Sequence, residues 1–268
     1  MQIAESDIWR HLAMIGPVAA MVVASACSGA ANSPGNPGNG GGTVQIPGGA
    51  GKTFVPDGIV YEDISAPGTD RTGFKLLAAT LRDYGNLQEL FMTVENMGTE
   101  AACQPQVATE VDDASMNTLG GGSLLLNGQM YQVPGGITVC LGAGEIGIGS
   151  LPVITDPVQT APARIRYQFG ASLEPTASKL ADVTIEGVTI ADAAGPMATV
   201  TGHLVNHGAA AVQNVFVTSY AIDGATLRAY AQRPAGVDSI APGAQWNFTI
   251  QMGDPIADSR TFVNYVQP

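Results

Sequence analysis

Three carboxylates, Glu110, Asp112 and Asp113, lie close together near a predicted turn. Carboxylate oxygens are ligands that Ca²⁺ prefers, so the cluster could hold calcium. The spacing matches no calcium-loop template, and a solvated edge is the expected role, with weak calcium binding as the alternative. We predict no cofactor and no metal centre for the chain.

His203 and His207 are spaced as i and i+4, which on a helix would bring both imidazoles to one face for metal binding. The surrounding pattern instead predicts a strand that enters a turn at Asn206, where the two side chains need not converge. We therefore expect solvated histidines.

Other catalytic motifs are incomplete. The segment 48–53 resembles a phosphate loop, but Ile46 stands where the motif requires Gly, and Phe54-Val55-Pro56 follows instead of a helix. Ser123 and Ser150 follow glycines, yet neither lies in Gly-x-Ser-x-Gly. We predict no catalytic residues and no enzyme, and an enzyme with an unrecognised carboxylate site stays as an alternative.

An apolar stretch, residues 12–26, follows Arg10 and His11 and ends in small residues before Cys27. This layout is typical of a secretory signal, and the stretch is shorter than the roughly 20 residues that a spanning helix requires. Residues 27–52 are mostly Gly, Asn, Pro and Ser, a composition that predicts a flexible tether. We assign residues 1–26 to a signal peptide.

Ala24-Ser25-Ala26-Cys27 resembles the lipobox of bacterial lipoproteins. The resemblance implies that Cys27 is acylated and becomes the new N-terminus, which attaches the chain to a membrane outside the cytoplasm. Ser28 after the cysteine resembles lipoproteins sorted to an outer membrane. An ordinary signal peptide, with Cys27 incidental, is the alternative.

Cys103 and Cys140 are the cysteines of the body. An even pair in an exported chain predicts a disulfide, and no Cys-x-x-Cys spacing is present for redox or zinc chemistry. The bridge would close a long loop and contribute roughly 4 kcal/mol in the chain-entropy model.

Composition favours strands and excludes one class of partner. The 34 Gly and 17 Pro interrupt the chain too often for long helices. The net charge of -12 and the absence of a basic run exclude nucleic acid binding.

Two stretches of the body resemble each other, 90–119 and 198–227. Each contains Asn-x-Gly, at Asn96 and Asn206, whose residues tolerate left-handed backbone at a strand end. Alternation in 245–251 predicts a strand with Trp246, Phe248 and Ile250 facing inward. The pattern predicts an all-β chain of two tandem β-sandwiches, at 53–170 and 171–268.

The second stretch also resembles a known family. The residues that carry the resemblance are Gly202, Leu204, Asn206, Gly208, Val215, Val217, Tyr220, Asp223-Gly224, Leu227, Pro242-Gly243 and Phe248. Their order resembles the FxLYD type of immunoglobulin-like domain in bacterial exported proteins, which implies a sandwich without catalytic residues and assigns no ligand.

These observations predict a non-enzymatic, lipid-anchored envelope protein that acts as an adhesion, scaffold or assembly module. Its partners would be a membrane, through the N-terminal lipid, and an unknown envelope protein. A small-ligand or calcium-binding lipoprotein is the alternative.

Overall fold

The computed structural model describes residues 53–54, 58–65, 73–85, 87–154 and 160–267. The predicted signal peptide, Cys27 and the predicted tether lie outside these residues, and what was predicted for them stays a prediction. The described residues form strands and turns without a helix, which confirms the all-β prediction. Accordingly, they contain no helix of the length and apolarity needed to cross a membrane.

Seventeen strands are present in the described residues. Their bounds are β1 Thr53–Phe54, β2 Val60–Asp63, β3 Phe74–Asp83, β4 Gln88–Asn96, β5 Ala101–Asp112, β6 Thr118–Leu125, β7 Gln129–Val133, β8 Gly136–Leu141, β9 Ile146–Ile154, β10 Arg164–Glu174, β11 Ser178–Lys179, β12 Val183–Ala191, β13 Thr199–Asn206, β14 Val212–Asp223, β15 Arg228–Ile240, β16 Gln245–Gln251 and β17 Asp258–Val266.

The strands build two tandem sandwiches, as predicted. In the first, a sheet of order β1-β2-β10-β5-β8-β7-β11, with β6 also paired to β5, faces the sheet β3-β4-β9. In the second, β12-β13-β16 faces β15-β14-β17. Neighbouring strands run antiparallel except β2 and β10, which are parallel.

Side chains that alternate along each strand fill the two cores. In β16, Phe248 and Ile250 are buried and Trp246 packs against the second core, while the alternate positions are exposed. This is the pattern that a period of two predicts for a strand with one solvated face. The first core is built in the same way around Leu90, Val107 and other buried apolar residues.

At one equivalent cross-strand pair, the two cores carry the large and the small residue on opposite strands. Met92 of β4 lies opposite Gly149 of β9, whereas Gly202 of β13 lies opposite Phe248 of β16. A Cβ at Gly202 would come within 2.6 Å of the Phe248 ring, so the ring occupies the space that a side chain would need. Each core therefore reaches close packing with a different arrangement of volumes.

Asn96 and Asn206 each close a corner of their sandwich with a buried carboxamide. Asn96 Nδ2 donates to the carbonyls of Glu100 and Leu141, and its Oδ1 accepts from Gly98 N. None of the residues in either Asn-x-Gly segment has a positive φ, so the left-handed backbone that these residues tolerate is not adopted there. The motif acts through its side chain, which satisfies buried backbone groups.

Val44–Pro268 form one compact unit by their contacts. The predicted boundary after residue 170 falls inside β10, and residues 175–177 connect β10 to β11. The two predicted domain ranges stay predictions, while the two sandwiches are separate pairs of facing sheets.

Candidate contact surfaces

The outer faces of two sheets pack against each other where the sandwiches meet. Phe91 and Ile148, from β4 and β9, form one buried cluster with Tyr220 and Phe262, from β14 and β17. The central stretch of β14, residues 217–222, is buried on both of its faces as a result. This cluster lies between the sandwiches and holds them against each other through apolar contact.

Hydrogen bonds between uncharged side chains cross the same interface. Asn127 Nδ2 donates to Tyr220 Oη at 2.7 Å, and Asn264 Nδ2 donates to Asn127 Oδ1 at 3.0 Å. Burial raises the pKa of Tyr220, so the phenol stays neutral at its place in the interface. Ser150 Oγ donates to Gln232 Oε1 at 2.8 Å. Directional bonds of this kind fix one relative orientation of the two faces.

Two more contacts bind the turn between β14 and β15 to the first sandwich. Thr93 Oγ1 donates to the Leu227 carbonyl at 2.7 Å, and Arg228 Nε donates to Thr80 Oγ1 at 2.8 Å. Leu227, whose carbonyl accepts the first of these bonds, has a φ of 57°, in the left-handed region that few residues other than glycine adopt.

An ion pair lies at the margin of the interface. Arg82 of β3 donates to the Tyr230 carbonyl at 2.6 Å and pairs with Asp254 at 2.8 Å. Its guanidinium carbon lies 4.8 Å from the centre of the Tyr84 ring, within cation–π range. Because Arg82 and Asp254 belong to different sandwiches and are partly shielded from solvent, the pair adds to the fixed orientation.

The face of the first sandwich that forms the interface has a polar counterpart on the second. Asn96 and Asn206 occupy equivalent corners, so counting back along β4 and β13 places Thr201 at the position of Phe91. In the same way, the pairing of β4 with β9 and of β13 with β16 places Asn247 at the position of Ile148. Thr201 is half-buried and Asn247 exposed. At these two positions the outer face of the second sandwich therefore carries polar side chains where the first carries the apolar ones of the interface.

The opposite end of the stack shows the same substitution. Gln104 in β5 and Asn214 in β14 both have a positive φ, and they mark equivalent positions of the two strands. Glu110 and Asp112 then stand at the positions of Tyr220 and Ile222. At these positions, too, polar side chains stand where the interface has apolar ones.

The carboxylates of the predicted calcium cluster have partners of their own. Arg166 of β10 approaches Asp112 at 2.7 Å and Glu110 at 3.0 Å, and Asp112 is fully buried. Asp113 instead accepts from the backbone of Ser115 and Asn117 in its own turn. Hydrogen bonds, foremost those from Asn117, lower the pKa of Asp113.

Glu110 and Asp112 thus both contact the guanidinium of Arg166, a partner that the sequence interpretation did not identify. The alternation of Arg164 and Arg166 in β10 was the available signal, but only the register places Arg166 opposite Glu110. Across the described ranges, no group of three or more His, Cys, Asp or Glu is arranged to hold a metal ion.

The two histidines approach one carboxylate, a convergence that the strand pattern did not require, and both remain partly exposed to solvent. His203 Nε2 lies 3.6 Å and His207 Nε2 3.4 Å from the two carboxylate oxygens of Glu186, on the outer face of β12 and β13. Thr184 Oγ1 donates to Glu186 Oε1 at 2.8 Å. This hydrogen bond, followed by His207 and His203, lowers the pKa of Glu186.

The predicted disulfide between Cys103 and Cys140 is confirmed. The two residues are direct partners in the antiparallel pairing of β5 and β8, and both are buried. In the second sandwich the corresponding pair is Gln213 and Ser239, so the bridge is an addition to the first sandwich rather than a requirement of the fold.

Three large apolar side chains of β6, β14 and β17 are exposed. Phe216 of β14 is 54% exposed, Val266 of β17 is 52% exposed and Leu125 at the end of β6 is 67% exposed. Six further large apolar side chains are exposed elsewhere on the described surface, so exposure alone does not mark an interaction site.

Comparisons with known proteins give little further information. No family model matches the chain. No curated protein matches it either. Among solved structures, a red sea bream transglutaminase is similar to 75% of this chain with 12% sequence identity and a TM-score of 0.23, and the chain spans 30% of that structure. At this TM-score the similarity supports no inference about activity.

Proposed function

We propose that this protein is a non-enzymatic, lipid-anchored envelope protein whose two sandwiches act as one rigid adhesion, scaffold or assembly module. The observation that carries the proposal is the interface between the sandwiches, with its buried cluster around Phe91 and Tyr220. Scaffolds and adhesins present a binding surface at a fixed orientation, and a locked pair of domains does so over a longer span than one domain.

Two features support export. The Cys103–Cys140 bridge belongs to chains that mature in an oxidising compartment. The lipobox-like sequence at Cys27 would then supply the anchor, and the tether of residues 28–52 would hold the rigid body away from the bilayer. Membership of the FxLYD type of domain is part of the same proposal.

Free strand edges of the second sandwich are the proposed contact with an envelope partner. Within the described residues, β12 and β16 each pair only with β13, on either side of it. An edge strand offers unpaired backbone groups to which an extended segment of another protein can add. The alternating exposed side chains of β16, such as Asn247 and Thr249, would supply selectivity.

The anchor is tested by acylation of the chain in its own host. Radiolabelled or alkynyl fatty acid should label the parent chain and the matched control Ser28→Ala, whereas Cys27→Ser should be unlabelled and lost from the membrane fraction. A labelled Cys27→Ser variant, or a parent chain recovered without lipid in the cytosol, would overturn the anchored function.

The scaffold role is tested by photo-crosslinking in intact cells from Asn247 on the β16 edge. A photoreactive residue there should yield one defined adduct in the envelope fraction. The matched control is Gln168, which is also exposed but lies on a central strand, β10. Equal adduct patterns from both positions would contradict recognition at the edge.

A further inference from the structure

An insertion distinguishes the first sandwich from the second. When β5 and β14 are aligned on their positive-φ residues, their paired strands can be compared position by position. Leu125 and Cys140, which pair with β5, are separated by residues 126–139. The equivalent residues on β15, Gly236 and Ser239, are separated by two residues. We call residues 126–139, which contain β7 and most of β8, the strap.

The strap extends from the first sandwich and packs against the second. Met130 is buried in the second core, and Ile137 and Val139 pack against that core. The backbone amide of Leu180, just before the second sandwich, donates to the Met130 carbonyl at 2.9 Å. Asn127 makes side-chain hydrogen bonds to β14 and β17. The strap therefore supplies both apolar and directional contacts between the sandwiches.

The residues at the two ends of the strap are fixed in the first sandwich. Leu126 and Leu141 are buried in the first core. The Leu126 amide donates to the Pro105 carbonyl at 2.9 Å, and the Asn96 carboxamide donates to the Leu141 carbonyl at 2.7 Å. None of these contacts involves the disulfide. The first sandwich can therefore keep its fold while the middle of the strap moves.

The Cys103–Cys140 bridge lies at the base of the strap and is covered by it. Tyr131 of the strap forms one buried cluster with both cysteines, and Val133 packs against this cluster. Gly128 lies so close to the Cys140 carbonyl that a Cβ at this position would overlap with it. The strap thus shields the bridge, and the bridge forms part of the surface on which the strap is closed.

Breaking the bridge changes this surface. A dithiol reduces the bridge by thiol–disulfide exchange, which leaves two cysteine thiols carrying the dithiol's two protons and converts the reductant to its own disulfide. Two thiols cannot approach as closely as two bonded sulfurs, so the closely packed cluster around them must shift. We propose that the bridge is a redox-sensitive switch of the strap. The oxidised bridge holds the strap closed on the second sandwich, and reduction lets it open.

The switch goes deeper into the proposed function and rests on its rigid pair of sandwiches. A chain whose cysteines are still reduced would lack the contacts that the closed strap adds. The rigid body would then be completed only in an oxidising compartment, where the bridge forms. The interface cluster is tested separately by Phe91→Ala, which does not touch the bridge.

Amide hydrogen exchange of the purified full chain tests the switch. The chain is compared with and without a small dithiol, and alkylation followed by mass spectrometry counts the free thiols in each sample. Reduction should make exchange several-fold faster along the strap and at Leu180, whose amide bonds to the Met130 carbonyl. Amides in the central pairing of β5 with β10 should stay protected, because the first core does not depend on the strap.

The matched control is Cys103→Ala/Cys140→Ala, whose strap should exchange fast with or without the dithiol. Cys27 is present in both chains, so an effect of that thiol would appear in both. The reduced parent keeps the native side chains and gives the result even if the double variant does not fold.

Three results would each overturn the switch. They are a bridge that the dithiol does not reduce in the folded chain, unchanged exchange of the strap after reduction, and loss of protection throughout the first sandwich. The first two would leave the interface cluster, and with it the rigid pair, standing. None of the three bears on lipid attachment at Cys27, so failure of the switch and failure of the anchor are distinguishable.

Discussion

The carboxamides of Asn96 and Asn206 make the same three hydrogen bonds in the two sandwiches. Asn206 Nδ2 donates to the carbonyls of Ala210 and Ile240 and its Oδ1 accepts from Gly208 N, which repeats the bonds of Asn96. Both side chains are fully buried. The corner they close is the point from which the two repeats can be aligned strand by strand.

Replacing either asparagine should destabilise the fold. Asn206→Ala leaves the buried Ile240 carbonyl without its partner, and the partly buried Ala210 carbonyl and Gly208 amide as well. A buried group left in this way costs about 1 to 3 kcal/mol. We expect the midpoint of urea unfolding to fall clearly for Asn96→Ala and Asn206→Ala. Met97→Ala, at an exposed neighbour in the first corner, is the control and should unfold like the parent. Parental stability of either Asn variant would remove the corner from this account.

Unfolding of the second sandwich should respond to a mutation in the first. Phe91→Ala removes a fully buried ring from the interface, and a change of this kind costs about 3 to 5 kcal/mol of folding free energy. Trp246 lies in the second sandwich and reports on it by fluorescence once Trp9→Phe has removed the other indole. We expect Phe91→Ala to lower the melting temperature seen by Trp246.

The control for that experiment is Leu125→Ala, which truncates an exposed side chain of the same sandwich. It should leave the Trp246 transition in place. If Phe91→Ala also left it unchanged, the two sandwiches would unfold independently and would not act as one rigid body.

The disulfide should stabilise only under oxidising conditions. Cys103→Ser should lower the melting temperature of the oxidised protein, by an amount that corresponds to roughly 4 kcal/mol in the chain-entropy model. In reductant the parent loses the bridge as well, and the difference should disappear apart from the small effect of the buried hydroxyl. Calorimetry with and without reductant measures both, and equal melting without reductant would contradict a stabilising bridge.

Glu186 should titrate below the ordinary range for glutamate. The Thr184 hydrogen bond, then the two histidines, lower the pKa of this carboxyl in the folded state. A lowered pKa contributes stability that is present above the unfolded value, near 4.5, and is lost as pH falls through the folded value. The side chain is exposed, so the effect on stability should be small and direct titration is the better measurement.

Carbon-detected NMR of the Glu186 carboxyl should show this low midpoint. Thr184→Ala should raise it further toward 4.5 than His207→Ala does, because the hydroxyl is the largest of the causes. A midpoint at or above 4.5 in the parent would show that the two imidazoles and the hydroxyl do not act on this carboxyl.

Much of the architecture follows from local patterns that a single sequence contains. Alternation along 245–251, the Gly and Pro content and the repeated Asn-x-Gly segments were sufficient for an all-β chain of tandem sandwiches. The Cys103–Cys140 pair followed from the count of cysteines. These features are local or arithmetic, so they need no knowledge of which strands become neighbours.

Only the tertiary structure decided which strands far apart in the chain become neighbours, and in which register. Register brings Arg166 onto Glu110 and Asp112, and it brings both histidines onto Glu186, a contact that sequence spacing left open. The outer face of β14 shows the same limit. Tyr220 and Phe216 lie on one face of one strand, yet one is buried by the first sandwich and the other is exposed. The alternation of a strand states which side chains share a face, whereas the docking of another sheet determines which of them meet water.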